Sequence, residues 1–182
     1  MFETFEYQMF KKICHHLGKP ARREATKRSP WLLPSVFSLF IMCVAGCQIF
    51  PKLPPVDLSQ PGWNIRQGQA VWRSKKDAPE IAGELLVATR SDDKTFVQFT
   101  KTPLPFVAAQ STRHHWQIEA IPQNKTFSGP GKPPVRALWL WLPRCLAGEK
   151  PPKKLSWQRL ENNSWRLENR VTGESLEGYL SP

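Results

Sequence analysis

From Trp63 onward the chain alternates apolar and polar positions with a period of two. Trp165, Leu167, Asn169 and Val171 interleave with Arg166, Glu168 and Arg170, the pattern of a half-buried strand. Trp116 and Ile118 alternate with Gln117 and Glu119 in the same way. The same reading predicts strands over Trp63–Arg73, Ile81–Arg90, Lys94–Lys101, Lys154–Glu161 and Glu174–Leu180. Turn residues separate them at Asp77-Ala78-Pro79, Ser91-Asp92-Asp93, Asn162-Asn163 and Thr172-Gly173. Ser128-Gly129-Pro130-Gly131 reads as a loop. Short connections favour antiparallel neighbours, so the predicted fold is mainly β, a curved antiparallel sheet.

One segment breaks the rhythm. Val135 to Leu142 is almost wholly apolar, follows Pro133-Pro134 and meets Pro143. A short helix suits Pro at its start and Ala, Leu and Arg within it, and such a helix would cover the open side of the sheet. A buried strand is the alternative, because periodicity does not separate the two over so short a run.

The N-terminal third has a different pattern. Residues 1–30 hold seven Lys/Arg against three Glu, and an uncharged apolar stretch from Trp31 to Gly46 follows. A basic region, a short apolar core and then small residues form the order of a secretory signal. Val44-Ala45-Gly46-Cys47 resembles the lipobox of bacterial lipoprotein signals, which implies acylation at Cys47. An uncleaved anchor is the alternative, blunted by Pro30, Pro34 and Pro51. Met9 is a second possible start. The expected organisation is a lipoprotein signal over 1–46, an acylated Cys with a Pro-rich tether over 47–62, and a β-domain over 63–182. Pro51, Pro54, Pro55 and Pro61 suggest an extended stalk over Gln48–Gly62, reaching roughly 45 Å at ~3.1 Å per residue.

Cysteine usage and charge follow from that division. Of four cysteines, Cys14 and Cys43 fall in the signal and Cys47 takes lipid. Only Cys145 remains, which leaves no internal disulfide and no zinc site. Of 26 Lys+Arg and 15 Asp+Glu, seven and three lie in residues 1–46, leaving 19 and 12 and a net charge near +7. These charges are dispersed, with Lys150, Lys153 and Lys154 the densest group. A solvated basic surface is the plain reading, attraction to an anionic membrane the sharper one, and nucleic acid is not an expected partner.

No catalytic grouping stands out. His114 and His115 are adjacent in a predicted strand, so they would face opposite sides. The chain has no HExxH, phosphate-binding Gly-rich loop or CxxC, and its carboxylates are scattered among basic residues. The expectation is a non-enzyme without cofactor or metal.

Several segments, in order, resemble the LolB family of outer-membrane lipoprotein receptors and, more distantly, the LolA family of soluble carriers. They are Arg66-Gln67-Gly68-Gln69-Ala70, Gly83-Glu84-Leu85 through Phe99, Thr102-Pro103-Leu104, Pro133-Pro134-Val135-Arg136-Ala137-Leu138-Trp139-Leu140 and Trp165-Arg166-Leu167. The resemblance spans nearly all of the chain after Cys47 and lacks several residues between Phe127 and Pro133. It implies a half-open antiparallel β-barrel with a helical cover, enclosing an apolar cavity for acyl chains. Candidate cavity residues are Leu85, Val87, Phe96, Val97, Phe99, Trp116, Ile118, Leu138, Trp141 and Trp165, for each of which an ordinary closed core is the alternative.

Leu104, between Pro103 and Pro105, matches a Leu on a protruding loop that the family uses to hand lipid to the membrane; the alternative places it in the core. The resemblance further implies acyl chains of lipoprotein cargo as partners, a LolA-like periplasmic donor and an outer-membrane location facing the periplasm. Gln48, standing where an Asp would signal inner-membrane retention, agrees with that location. The competing expectation is a structural or assembly lipoprotein whose filled β-domain binds a protein, glycan or lipopolysaccharide.

Overall fold

The computed structural model describes residues 52–181. The expected signal, the expected acylation site at Cys47 and Gln48 lie outside the described residues. Nine strands form one antiparallel sheet: β1 (Trp63–Arg73), β2 (Glu80–Arg90), β3 (Thr95–Lys101), β4 (Leu104–Ser111), β5 (His115–Ala120), β6 (Lys125–Pro130), β7 (Leu155–Arg159), β8 (Ser164–Asn169) and β9 (Ser175–Leu180). Their order is β6-β5-β4-β3-β2-β1-β9-β8-β7, so the sheet is two meanders joined where β1 pairs with β9. β6 and β7 are its two edges, and the sheet does not close.

This order fixes the place of the helix. The chain between β6 and β7 must cross from one edge to the other. It does so through α1 (Leu138–Leu146), which packs on β2, β3, β4, β5 and β8. Seven of its nine residues are buried. The helix is weak on local grounds: Ala137 gives no side-chain cap, and Pro143 lies inside it without an N–H to donate. Its C-terminus is better made. Gly148 adopts φ +93°, its N–H reaches Cys145 O at 3.0 Å and that of Glu149 reaches Arg144 O at 2.9 Å, closing the last turn. A helix this short is held by the surface it buries.

The expected turns form where the residues suggested. Asp93, Asn162, Asn163 and Gly173 all have positive φ. In Glu161–Ser164 both central Asn residues do so, and Ser164 N–H bonds Glu161 O at 3.1 Å, the geometry that suits the twist of a tight hairpin.

Four expectations are corrected. Residues 104–111 form β4, although Pro103 and Pro105 suggested only a loop. Residues 128–130 belong to β6, because Gly129 lies beneath the Trp116 indole, where a side chain would not fit. The helix begins at Leu138 and runs through Pro143 to Leu146. His114 sits in the β4–β5 turn with its N–H on Thr112 Oγ1, so the two histidines do not share a strand.

Candidate functional site: the concave face, its rim and the tether groove

Alternation along β1, β2, β3, β8 and β9 sends one row of side chains to the concave face, under α1. Leu85, Val87, Val97, Phe99, Leu138, Trp141 and Trp165 are all buried there, none more than 6% exposed. Trp116 and Ile118 are partly buried and pack against the same cluster. Phe96 does not join them. It pairs with Ala88 on one side and Gln110 on the other, one residue out of step with Val97 and Phe99, and so occupies the opposite face.

At the centre of the cluster stands Trp139, a residue of the resemblance motif that is not among the expected cavity residues. Its ring lies 5.7 Å from that of Trp72 and 5.3 Å from that of Phe99. Phe106 completes the group, 5.8 Å from Trp72 and 6.4 Å from Phe99. Trp157 stacks on Trp165 at 6.1 Å. Trp139 of α1 therefore packs directly against the aromatics of the sheet. The Trp165 indole N–H is buried without a hydrogen-bond partner.

Leu104 opens β4 opposite Lys101 and is 69% exposed. A register shift between Phe99 and Thr100 separates its fate from that of Phe106. Past the shift Phe106 turns into the core, while Leu104 stays outside at the tip of a two-residue turn. It is an apolar residue at a hairpin tip, carried by the sheet.

The tether is docked as far back as the described residues extend. Leu53 N–H donates to Gln117 Oε1 at 2.7 Å, Trp63 Nε1 donates to Asp57 O at 3.1 Å, and Arg90 Nη1 donates to Gln60 Oε1 at 3.3 Å. The free stalk expected over these residues is thus corrected: Leu53–Gln60 lies along the sheet. Between it and the ends of β2–β4 is a cavity of about 230 Å³. That is below the ~300–1,000 Å³ of usual small-molecule sites. Its charges are internally matched. Ser59 Oγ and N–H hold the Asp57 carboxyl below its usual range, and Lys94 with Arg90 does the same for Asp92.

Gln117 fastens the tether at Leu53. It is 2% exposed and donates in turn to Glu119 at 2.9 Å. Nothing in the sequence distinguishes it from Gln98 or Gln110, which the register puts on the same face. No family model matches the chain, and no curated protein matches it.

The remaining chemistry is quiet. Burial, with Glu149 nearby, pushes the Cys145 thiol up to about 11, so it stays protonated and unreactive at neutral pH. Among the described residues no three His, Cys, Asp or Glu side chains gather as a metal site. None of the described helices is long and apolar enough to cross a membrane.

Proposed function

We propose that the chain is a lipid-anchored receptor of the LolB kind, acylated at Cys47 and facing the periplasm from the outer membrane. In this reading it takes the acyl chains of lipoproteins from a LolA-like donor onto its concave face and passes them to the bilayer at the Leu104 tip. No catalytic step is assigned to it. The supporting observation is an unclosed sheet whose concave face is covered by one short helix, without a side-chain cap at its start and with Pro143 inside it.

Three acyl chains of ~14 methylenes would lose about 30 kcal/mol if they crossed water bare, at ~0.8 kcal/mol each. Sheltering them requires that α1 move aside, since its Trp139 already packs against Trp72 and Phe99. The receptor therefore opens on loading, and the affinity it shows is reduced by the cost of opening.

The test is native mass spectrometry of the full chain with a triacylated lipopeptide and its deacylated form. The expected result is a one-to-one complex formed only with the acylated peptide. A second reading, a structural lipoprotein binding a partner through a filled domain, is favoured by the near-zero exposure of Leu85, Val87, Phe99 and Trp165. The absence of any acyl-dependent complex would select it.

A further inference from the structure

The end of the sheet that carries the β1–β2 and β8–β9 turns bears a second surface feature. Lys75 and Lys76 lie in the first turn, Arg170 and Val171 in the second, and Lys153 and Lys154 just before β7. The three segments are in contact. Lys76 N–H approaches Thr172 O at 3.4 Å, and a Cβ at Gly173 would come within 2.7 Å of the Lys76 Cβ. Arg170 N–H bonds Lys154 O at 3.0 Å.

Val171 stands among these cations and is 71% exposed, the most exposed large apolar residue of the described chain. Lys76, Lys153, Lys154 and Arg170 have no ion-pair partner among the described residues. The nearby acids do not offset them. Glu80 is paired with Arg73 and Glu168 with Arg166, the Glu174 carboxyl accepts from the Trp72 indole, and Asp77 adds an exposed negative charge with no ion-pair partner among the described residues.

We propose that this surface docks on an anionic phospholipid bilayer, with Val171 entering the interface and the four cations meeting headgroup phosphates. An apolar tip ringed by long basic side chains suits that boundary, because the cations stay at headgroup level while the tip sheds its contact with water. A soluble polyanion would use the charges and leave Val171 in water. Each Lys or Arg held at an anionic surface is worth roughly fivefold in partition. The proposal is independent of acyl-chain capture and uses a different part of the sheet from the concave face.

The test is hydrogen exchange, read by mass spectrometry, on the full chain with phosphatidylglycerol vesicles and with phosphatidylcholine vesicles. Amides of 75–77, 153–155 and 170–173 should slow with the anionic vesicles only. They should return to the free rate at 1 M salt, where the screening length is about 3 Å. Lys154→Gln with Arg170→Gln should weaken partition on the order of 25-fold, and Val171→Ser should weaken it with the charges intact. Both variants alter exposed side chains and should leave lipopeptide capture unchanged. Equal exchange with both vesicle types, or protection by heparin that the vesicles do not reproduce, would overturn the proposal.

Discussion

The indole Nε1 of Trp72 donates to a carboxyl oxygen of Glu174 at 3.1 Å, joining residues 102 positions apart. Trp72 in turn packs against Trp139 of α1, so the carboxyl sits beneath the same aromatic group that fills the concave face. Burial raises Glu174 from 4.5 to about 7, against the smaller opposing effect of the indole bond. Below pH ~4.5 the folded and unfolded chains both hold the proton, and stability is complete. From there to about pH 7 the unfolded chain releases it while the folded chain keeps it, so stability falls as pH rises. The loss is at most about 3 kcal/mol, since residue 174 as a whole is only partly covered. Urea midpoints at pH 5 and pH 8 should differ accordingly, and Glu174→Gln should abolish that part of the slope.

Under the proposed receptor function, Leu104 separates stability from lipid transfer. At 69% exposure, Leu104→Glu should change the unfolding free energy by less than about 0.5 kcal/mol. Under the proposed receptor function it should still capture lipopeptide and fail to release it into acceptor vesicles. Transfer at the wild-type rate would remove the tip from the mechanism.

The core responds differently. Trp139→Ala should cost about 3–5 kcal/mol in denaturant unfolding, because it removes the ring between Trp72 and Phe99. Gly83→Ala should cost about 1–3 kcal/mol by the opposite route. A Cβ at Gly83 would lie 2.5 Å from Thr100 O and 2.8 Å from the Phe99 ring, and that backbone oxygen cannot move aside.

The tether makes a local prediction. Gln117→Leu leaves the Leu53 N–H without its acceptor, a loss of about 1–3 kcal/mol in docking. Trypsin should then cut after Lys52 on the order of tenfold faster, with cleavage inside the sheet unchanged.

Much of the fold was legible where alternation and turn chemistry agreed. β1 occupies Trp63–Arg73 as predicted, and the Asn162-Asn163 hairpin formed where two residues tolerant of positive φ stood between apolar rows. β4 and β6 were hidden for local reasons. Two prolines bracket Leu104, and Ser128–Pro130 of the loop-like stretch joins a strand where Trp116 covers Gly129 from a neighbouring strand. The same limit applies to α1, since Pro143 ends a helix by local rules and is overruled here by burial of the face around it.

Within the candidate site, parity alone would have set Phe96 apart from Val97 and Phe99. The part played by Trp139 depends on the crossing from β6 to β7, which no single segment specifies. Gln117 was invisible because its importance lies in a bond across 64 residues.

That bond also governs how crowded the domain is with its own membrane. Under the proposed anchoring at Cys47, a docked tether puts only five residues, 48–52, between the anchor and the first docked residue. Release of Leu53–Gly62 would add ten residues, about 31 Å of contour at ~3.1 Å each. Effective concentration falls roughly as the −3/2 power of linker length, so a docked tether holds the domain at high local concentration near its bilayer and a released one dilutes it. Gln117, together with Trp63 and Arg90, would then set how often the domain meets its membrane.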